Sequence, residues 1–369
     1  MKIRYVNLSK QYSQERKKLL PIIDKVLKKG QYISGDHVEK FEKNITSLLK
    51  VKYCIALNSG TDALTLGLHC LGVRKNDEVI TTSNSFIAST SVIVHLGAKP
   101  IFVDVKQDQS IDPDLIEKSI TKKTKAIMVV HLTGRMCDMD KIILISKKYK
   151  IPIIEDAAQA IGSKYRNKYA GTFGKIGCFS AHPLKNLNAM GDSGYLTTNS
   201  TKIAKFIKDV RSHGMTNRNI VKNFGYVSRM DNLQAAILNF RLKNLNNIIK
   251  QRRKNAEIYF KNLNIKYVLC STEKKKEFNT YHTFVVQVSK RDKLRKYLFS
   301  KNIETSIHYP IPIHLQPAIK KLNYSFSNLS QTEKQAKRIL TLPINQFLKN
   351  SEIKKICSEI NNFYENSKK

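Results

Sequence analysis

Between residues 50 and 200 the sequence repeats one rhythm, a short apolar segment followed by a helical pattern, and this alternation restricts the fold more than any other feature. The segments KYCIAL (52–57), EVITT (78–82), PIFVDV (100–105), AIMVVH (126–131), PIIED (152–156), GCFSA (177–181) and GYLTT (194–198) read as strands. Helices are expected to begin near Thr61, Phe86, Pro113 and Met139, the third capped by Asp112. Several of the strands are apolar without alternation, as required when both faces of a sheet are covered. The prediction is an α/β fold whose mostly parallel sheet carries helices on both sides.

After residue 230 the pattern changes. DNLQAAILNFRLKNLNNIIKQRRKNAEIYFKNL has apolar residues at three- and four-residue spacing and reads as one long connecting helix. Beyond it, YHTFVVQV and IETSIHY read as strands, RDKLRKYLFSKN as a helix, and the last forty residues as two further helices. The expected division is a large domain over 1–235, then a connector helix and a small C-terminal α/β domain over 236–369. A chain of 369 residues is long enough for both.

Charge has to be weighed before function. With 65 Lys and Arg against 29 Asp and Glu, the formal net charge is +36, which by itself would suggest a nucleic-acid partner. The excess is spread along the whole chain in ones, twos and threes, and no helix-turn-helix, zinc-finger or RNA-recognition signature accompanies it. We therefore expect no nucleic acid as partner; a positive field would instead attract a small anionic substrate. The opening MKIRYVNLSKQYSQERKKLLPIID is polar and no apolar run is long enough to span a bilayer, so the expectation is a cytoplasmic protein without a membrane partner. Cys54, Cys70, Cys137, Cys178, Cys270 and Cys357 form no Cys-x-x-Cys pair and have no histidine at ligand spacing, so no metal site is expected.

Three stretches gather chemistry. In ALNSGTDALTLGL (56–68) a strand runs into Asn58, Ser59 and Gly60 and a helix begins at Thr61, which presents free N–H groups and a positive helix end to an anion such as phosphate. An ordinary strand-turn-helix with a Ser or Thr cap reads the same way. In PIIEDAAQAIGS (152–163) an acidic pair ends an apolar strand, the end where open parallel sheets bind ligands. Glu155 and Asp156 would point to opposite faces, so one of them faces the site and could clamp a cationic ring nitrogen; a capping Asp is the plainer alternative. In SAHPLKNLNAMGDSG (180–194), Lys185 sits in an irregular segment between a turn at His182 and Pro183 and the glycines Gly191 and Gly194. Burial there would depress its pKa, and a neutral amine is what carbonyl chemistry needs. A phosphate cradle, a carboxylate for a pyridinium and a lysine for an aldehyde together describe pyridoxal 5'-phosphate.

These motifs, with GDHVEKFEKNI, SNSFIAS, GTFGKIGCFSAHPLKNL, GDSGYLTTN, GYVSRMDNLQAAIL and HYPIPIHLQPA in order along nearly the whole chain, resemble the DegT/StrS family of sugar aminotransferases. The resemblance implies the aspartate aminotransferase-like fold of type I pyridoxal-phosphate enzymes. It makes Lys185 the Schiff-base lysine and Asp156 the partner of the pyridinium nitrogen. By the same carry-over, Gln159 contacts the phenolic oxygen, Phe86 stacks on the ring, and Gly60, Thr61 and Ser180 hold the phosphate. Residues of GYVSRMD reach the other subunit's site in the family, which makes Arg229 a candidate contact across a homodimer interface; a salt bridge with Asp231 would explain it equally.

The implied reaction moves an amino group from an amino acid, by family habit glutamate, to a nucleotide-linked keto-6-deoxyhexose, of the kind found in lipopolysaccharide O-antigens. The wording HPLKNLNAMGD and GYVSRMDNLQAA favours the branch acting at C3 of a dTDP-3-keto sugar. The C4 branch, acting on UDP-, GDP- or dTDP-4-keto sugars, more often has an aromatic where this chain has Ser228. His308 and Tyr309 are candidates for the sugar pocket, unless Pro310 and Pro312 simply shape a surface turn there. A dehydrating branch has histidine in place of the lysine, and the lysine is present here. Serine at 193 and alanine at 181 depart from the usual family pattern and bear on the substrate branch. A basic binding protein on the same fold is the rival class, for fold does not fix function; it would have no need of Lys185, Asp156 and Gln159 together.

Overall fold

The computed structural model describes residues 2–322, 324 and 326–366. Two helices come first, α1 (Leu8–Lys29) and α2 (Asp36–Leu49). The α/β run follows as β1 (Tyr53–Leu57), α3 (Gly60–Cys70), β2 (Glu78–Thr82), α4 (Ala88–His95), β3 (Lys99–Val103), α5 (Pro113–Lys118), β4 (Thr124–Val130), α6 (Met139–Tyr149) and β5 (Ile153–Asp156). A small hairpin, β6 (Lys164–Tyr165) and β7 (Lys168–Tyr169), precedes β8 (Ile176–Ser180) and β9 (Gly194–Thr198). Then come α7 (Thr201–Val210), a ribbon of β10 (Met215–Asn217) and β11 (Ile220–Val221), α8 (Asn232–Leu242) and α9 (Leu245–Asn262).

The central sheet has seven strands in the order β1-β9-β8-β5-β4-β2-β3. Its pairs are parallel from β3 to β8, while β9 is antiparallel to both β8 and β1, so β9 is the reversed strand of a mixed sheet. All seven strand predictions stand to within two residues. Neighbouring residues of β4 and β5 serve opposite cores: Ile127, Val129 and Ile153 join Phe41, Ile45 and Leu238 on one face. Met128 and Ile154 join Leu66, Ile55 and Leu196 on the other. This two-sided burial is why the strands lack polar alternation.

Three expectations from the sequence need correction. The long connector is two helices, because the chain turns at Lys243 and Asn244, where the Asn244 side chain accepts from Asn247 Nδ2 at 2.8 Å. Asparagine competes in this way with the helical backbone. IETSIHY forms no strand: Ile303 bridges Ile3 and Ser306 bridges Thr341, each singly. The strand lies instead in the tail expected to be helical, where Ile339–Leu342 (β15) pairs with Phe284–Val288 (β14), whose other edge takes Val268–Cys270 (β12); Glu277–Phe278 (β13) joins β6. β15 is buried at all four positions, and a short apolar run of that kind does not declare its type. Helices Ser330–Ala336 and Asn350–Asn366 flank it, and α10 (Arg291–Ser300) matches expectation. Around β14 and β15 a separate core forms from Tyr259, Val286, Leu298, Leu342 and Ile356, joined by Ile3.

Close backbone approach bears on the strand ends at Gly194. Gly194 pairs with both Leu57 and Ser180, and a Cβ on it would lie 2.2 Å from the Ser59 carbonyl carbon. The strand end therefore has room only for hydrogen. Gly194→Ala is expected to destabilise the protein by about 1–3 kcal/mol or more, as overpacking does, and to weaken cofactor binding by displacing Ser59 and Gly60; chemical denaturation and a cofactor titration of the variant measure the two effects.

Candidate active site

The carboxyl ends of β1, β2, β4, β5 and β8 open onto a cavity of about 370 Å³. At one end of it α3 begins. Ser59, not Thr61, is the N-cap, its Oγ accepting from Asp62 N at 3.0 Å. The Gly60 and Thr61 N–H groups precede any intrahelical acceptor, and both residues line the cavity. Ser180 lies against them, since a Cβ on Gly60 would be 2.8 Å from Ser180 Cβ. A helix start, a glycine that lets the neighbouring strand close in, and a serine hydroxyl suit a phosphate.

At the other side the acidic pair divides as strand geometry requires. Glu155 turns away into the protein, where it accepts from His131 Nε2 at 2.9 Å and from the N–H groups of Gly171 (2.8 Å), Phe173 (2.6 Å) and Gly174 (2.7 Å). The Cys137 N–H donates to His131 Nδ1, which leaves the ring hydrogen on Nε2, facing Glu155. Asp156 turns into the cavity wall. Burial pushes its pKa up, against a 2.8 Å hydrogen bond from Ser89, one from the Ala158 N–H and the charge of Lys185. The group is thus a buried acceptor poised to pair with a cationic ring nitrogen.

Lys185 reaches the same cavity from the loop between β8 and β9. That loop is pinned at several points: Lys185 N–H donates to His182 O, and Asn188 Nδ2 to Pro183 O at 2.7 Å. Asn188 and Gln11 of α1 exchange amide hydrogen bonds at 3.0 and 3.1 Å. Arg241 of α8 donates to the carbonyls of Asn188 and Ala189 while paired with Glu15 at 2.7 Å. Burial lowers the Lys185 pKa to about 8, opposed by the charge of Asp156. The depressed amine expected from the sequence is therefore present, and the desolvation expected to cause it is the larger influence.

The remaining candidates divide. Phe86, 54% exposed, and Tyr309 face each other with ring centroids 6.0 Å apart on the cavity wall. Gln159 is held by its Oε1 accepting from Thr133 N at 2.7 Å and directs its Nε2 towards the Tyr309 hydroxyl at 3.4 Å. His308 also lines the cavity, bonded through Nδ1 to Thr341 Oγ1 at 2.9 Å; burial, then the Lys185 charge, push it down to about 4 and keep it neutral. His308 and Tyr309 are thus not a surface turn. Arg229 does not line the cavity, and among the described residues no ion pair joins it to Asp231. Four polar lining residues have no role assigned from the sequence: His131 and His282, and Ser85 and Asp192, which lie within SNSFIAS and GDSGYLTTN. His282 is pushed well below its ordinary range by burial and by Lys185, Arg252, His308 and His182. It sits just ahead of a strand with no glycine, proline or acidic neighbour to mark it.

A phosphate end, a pyridinium partner and an amine on the walls of one cavity fit pyridoxal phosphate. The model of the DegT/DnrJ/EryC1/StrS aminotransferase family matches residues 13–361. The chain is 38% identical to the pleiotropic regulatory protein of Geobacillus stearothermophilus, over 99% of each. It is 35% identical to the UDP-2-acetamido-2-deoxy-3-oxo-D-glucuronate aminotransferase of Pseudomonas aeruginosa, over 98% of this chain and all of the relative. With the dTDP-3-amino-3,6-dideoxy-alpha-D-galactopyranose transaminase of Aneurinibacillus thermoaerophilus it shares 37% identity, over 98% of this chain and 99% of the relative. The fold superposes on Streptomyces venezuelae DesV with a TM-score of 0.95 at 32% identity, covering 98% of each chain. NtdA of Bacillus subtilis, solved with bound cofactor PMP, gives 0.91 at 33% identity over 98% of this chain and 85% of its own.

Because Lys185 titrates near 8 in the folded protein and at an ordinary 10.5 when unfolded, the unfolded chain binds more protons between those values, so this group makes the protein more stable as pH rises through that window. Below pH 8 the full penalty is present. Lys185→Met should therefore raise the melting temperature of the cofactor-free protein at pH 7, and the gain should shrink above pH 8 and vanish towards 10.5; thermal unfolding of both forms across pH tests this.

Proposed function

Since the chain belongs to the DegT/DnrJ/EryC1/StrS aminotransferase family, we propose that it uses pyridoxal 5'-phosphate to move an amino group from glutamate to C3 of a nucleotide-linked keto-6-deoxyhexose. The observation that carries this reading is the buried, weakly basic Lys185 amine facing the same cavity as Asp156 and the start of α3. When bound, the cofactor supplies an electron sink and a carrier for nitrogen between the two half-reactions.

The rest is the work of this chain's residues. Gly60, Thr61 and Ser180 bind the phosphate, and Asp156 keeps the ring nitrogen protonated. Phe86 would lie over the ring and Gln159 would meet its phenolic oxygen. Lys185 would hold the cofactor covalently between turnovers; released, its amine would move a proton from the donor α-carbon to the cofactor and, in the second half, from the cofactor to the sugar carbon that receives nitrogen. An amine titrating near 8 is well matched to both tasks at neutral pH. His308 and Tyr309 stand across the cavity as neutral groups able to hydrogen-bond a sugar.

Two relatives whose names specify 3-oxo or 3-amino sugars support C3. Ser228, where the C4 branch more often has an aromatic, donates to Asp62 in the first turn of α3 at 2.7 Å and so belongs to the packing behind the phosphate end. A C4 ketone is the second reading. The active unit is read as a homodimer: the segment around β10 and β11 leaves Ile220, Val221, Phe224, Tyr226 and Val227 exposed, Phe224 at 99%, and Arg229 follows directly. A second copy covering this apolar row would bring Arg229 towards its neighbour's cavity.

Purified with cofactor, the protein should show a visible absorption band that glutamate discharges, and Lys185→Ala should lack both the band and turnover. Product masses from 3-keto and 4-keto sugars on dTDP, UDP and GDP decide the substrate; amination of 4-keto sugars alone would reject the C3 reading, and loss of water without gain of nitrogen would reject transamination. Arg229→Ala should lower cofactor occupancy without altering a monomer's fold, and a purely monomeric, fully active enzyme in sedimentation would rule out the shared site.

A further inference from the structure

Asp156 must do its work without solvent, and two serines from the β2–α4 region stand behind it. Ser89, in the first turn of α4 and fully buried, donates from Oγ to Asp156 Oδ2 at 2.8 Å. Ser85 Oγ lies 2.7 Å from Ser89 Oγ, also buried, and Ser85 lines the cavity. A hydroxyl has one hydrogen and a carboxylate can only accept. Ser89 spends its hydrogen on Asp156, so it must accept from Ser85, and the Ser85 oxygen is left with lone pairs towards the cavity.

We propose that Ser85 and Ser89 form a one-way hydroxyl relay that fixes the Asp156 carboxylate in its ring-nitrogen-binding orientation and holds it in the charged form, which makes both of them positioning residues for the cofactor. The inference rests on the cofactor reading above and is independent of the sugar. The geometry leaves Asp156 two protein donors: Ser89 on one oxygen and the Ala158 N–H, at 3.2 Å, on the other. The second is fixed by the backbone of the turn after β5; the first is therefore where the chain can tune the group. Chains of hydroxyls polarise one another in a dry site, so the donation from Ser85 strengthens that from Ser89. The titratable groups that face Asp156 are Lys185 from the β8–β9 loop, His131 from the end of β4, Tyr309 across the cavity and Cys178 on β8. Lys185 as an ammonium favours its ionised form, while burial opposes it.

The test is cofactor affinity of the stripped protein, followed by absorbance or fluorescence as pH is lowered from neutral into the acid range, since the Asp156 carboxyl is raised by burial. Protonation of Asp156 removes the partner of the pyridinium, so affinity has an acid limb. Losing a hydrogen bond to a charged group moves that limb to higher pH, by about one to two units for Ser89→Ala, or roughly tenfold or more in affinity on the acid side. Ser85→Ala should move it the same way by less, and the double variant should match Ser89→Ala alone, since a relay cut downstream has nothing left to lose upstream. Ser89→Cys, close in shape and a weak donor, should behave like the alanine variant. An unchanged acid limb in a folded Ser89→Ala protein, or single effects that add in the double variant, would overturn the relay. If Ser89→Ala does not fold, Ser85→Ala decides alone, because it leaves Ser89 in place: a limb that stays where the unmodified protein has it counts against the proposal. Failure of the unmodified protein to bind the cofactor at all would instead overturn the cofactor reading and the relay with it.

Discussion

A carboxylate without any exposed surface has to be surrounded by donors, and Glu155 is: three backbone N–H groups from the segment 171–174 and the His131 ring converge on it. Removing one partner of such a buried, fully bonded charge is costly, because the charge stays behind unpaired. The network joins β5 to the segment that leads into β8 and to the residue that follows β4. Those strands supply Asp156, Ser180 and His131. Because side chains alternate along a strand, locking Glu155 to one face obliges Asp156 to take the other. The member of the pair that lines the cavity is thus oriented by the member that does not.

What could be read from the sequence follows from the same physics. Strands buried on both faces announce themselves as apolar runs, and the residues that end them, Asp156 and Ser180 among them, can be located at the ligand-binding rim from the order of residues alone. Lys185 stands out because proline and glycine surround it. Elements whose character depends on partners far away are less legible. β15 is a strand because β14 lies beside it, and IETSIHY is not one because only Ser306 finds a partner on Thr341. His282 reaches the cavity through tertiary folding and carries no local mark, and Ser89 lies within SNSFIAS, where nothing in the order of residues shows that its hydroxyl meets Asp156. The break between α8 and α9 has a signal in Asn244, masked by the continuous apolar periodicity on either side.

The charge of the chain has a defined local meaning. Among the residues lining the cavity, Lys185 and four histidines accompany Asp156 and Asp192. His308 and His282 are held neutral by burial and by Lys185, and His131 is paired with Glu155. The cavity is therefore not strongly cationic in itself. Attraction of an anionic substrate falls to the general field of +36, which weakens as salt rises.

The clamp between α1 and the β8–β9 loop bears on when this protein becomes reactive. Gln11 and Asn188 are 177 residues apart in sequence, and the contact exists only once the N-terminal helix has docked. Without the burial that the docked fold supplies, Lys185 would be an ordinary solvated lysine with a smaller neutral fraction at neutral pH. Its nucleophilicity is an acquired property of the finished fold. An unfolded or partly folded chain carries Lys185 as one lysine among many, and only the finished fold sets its amine apart.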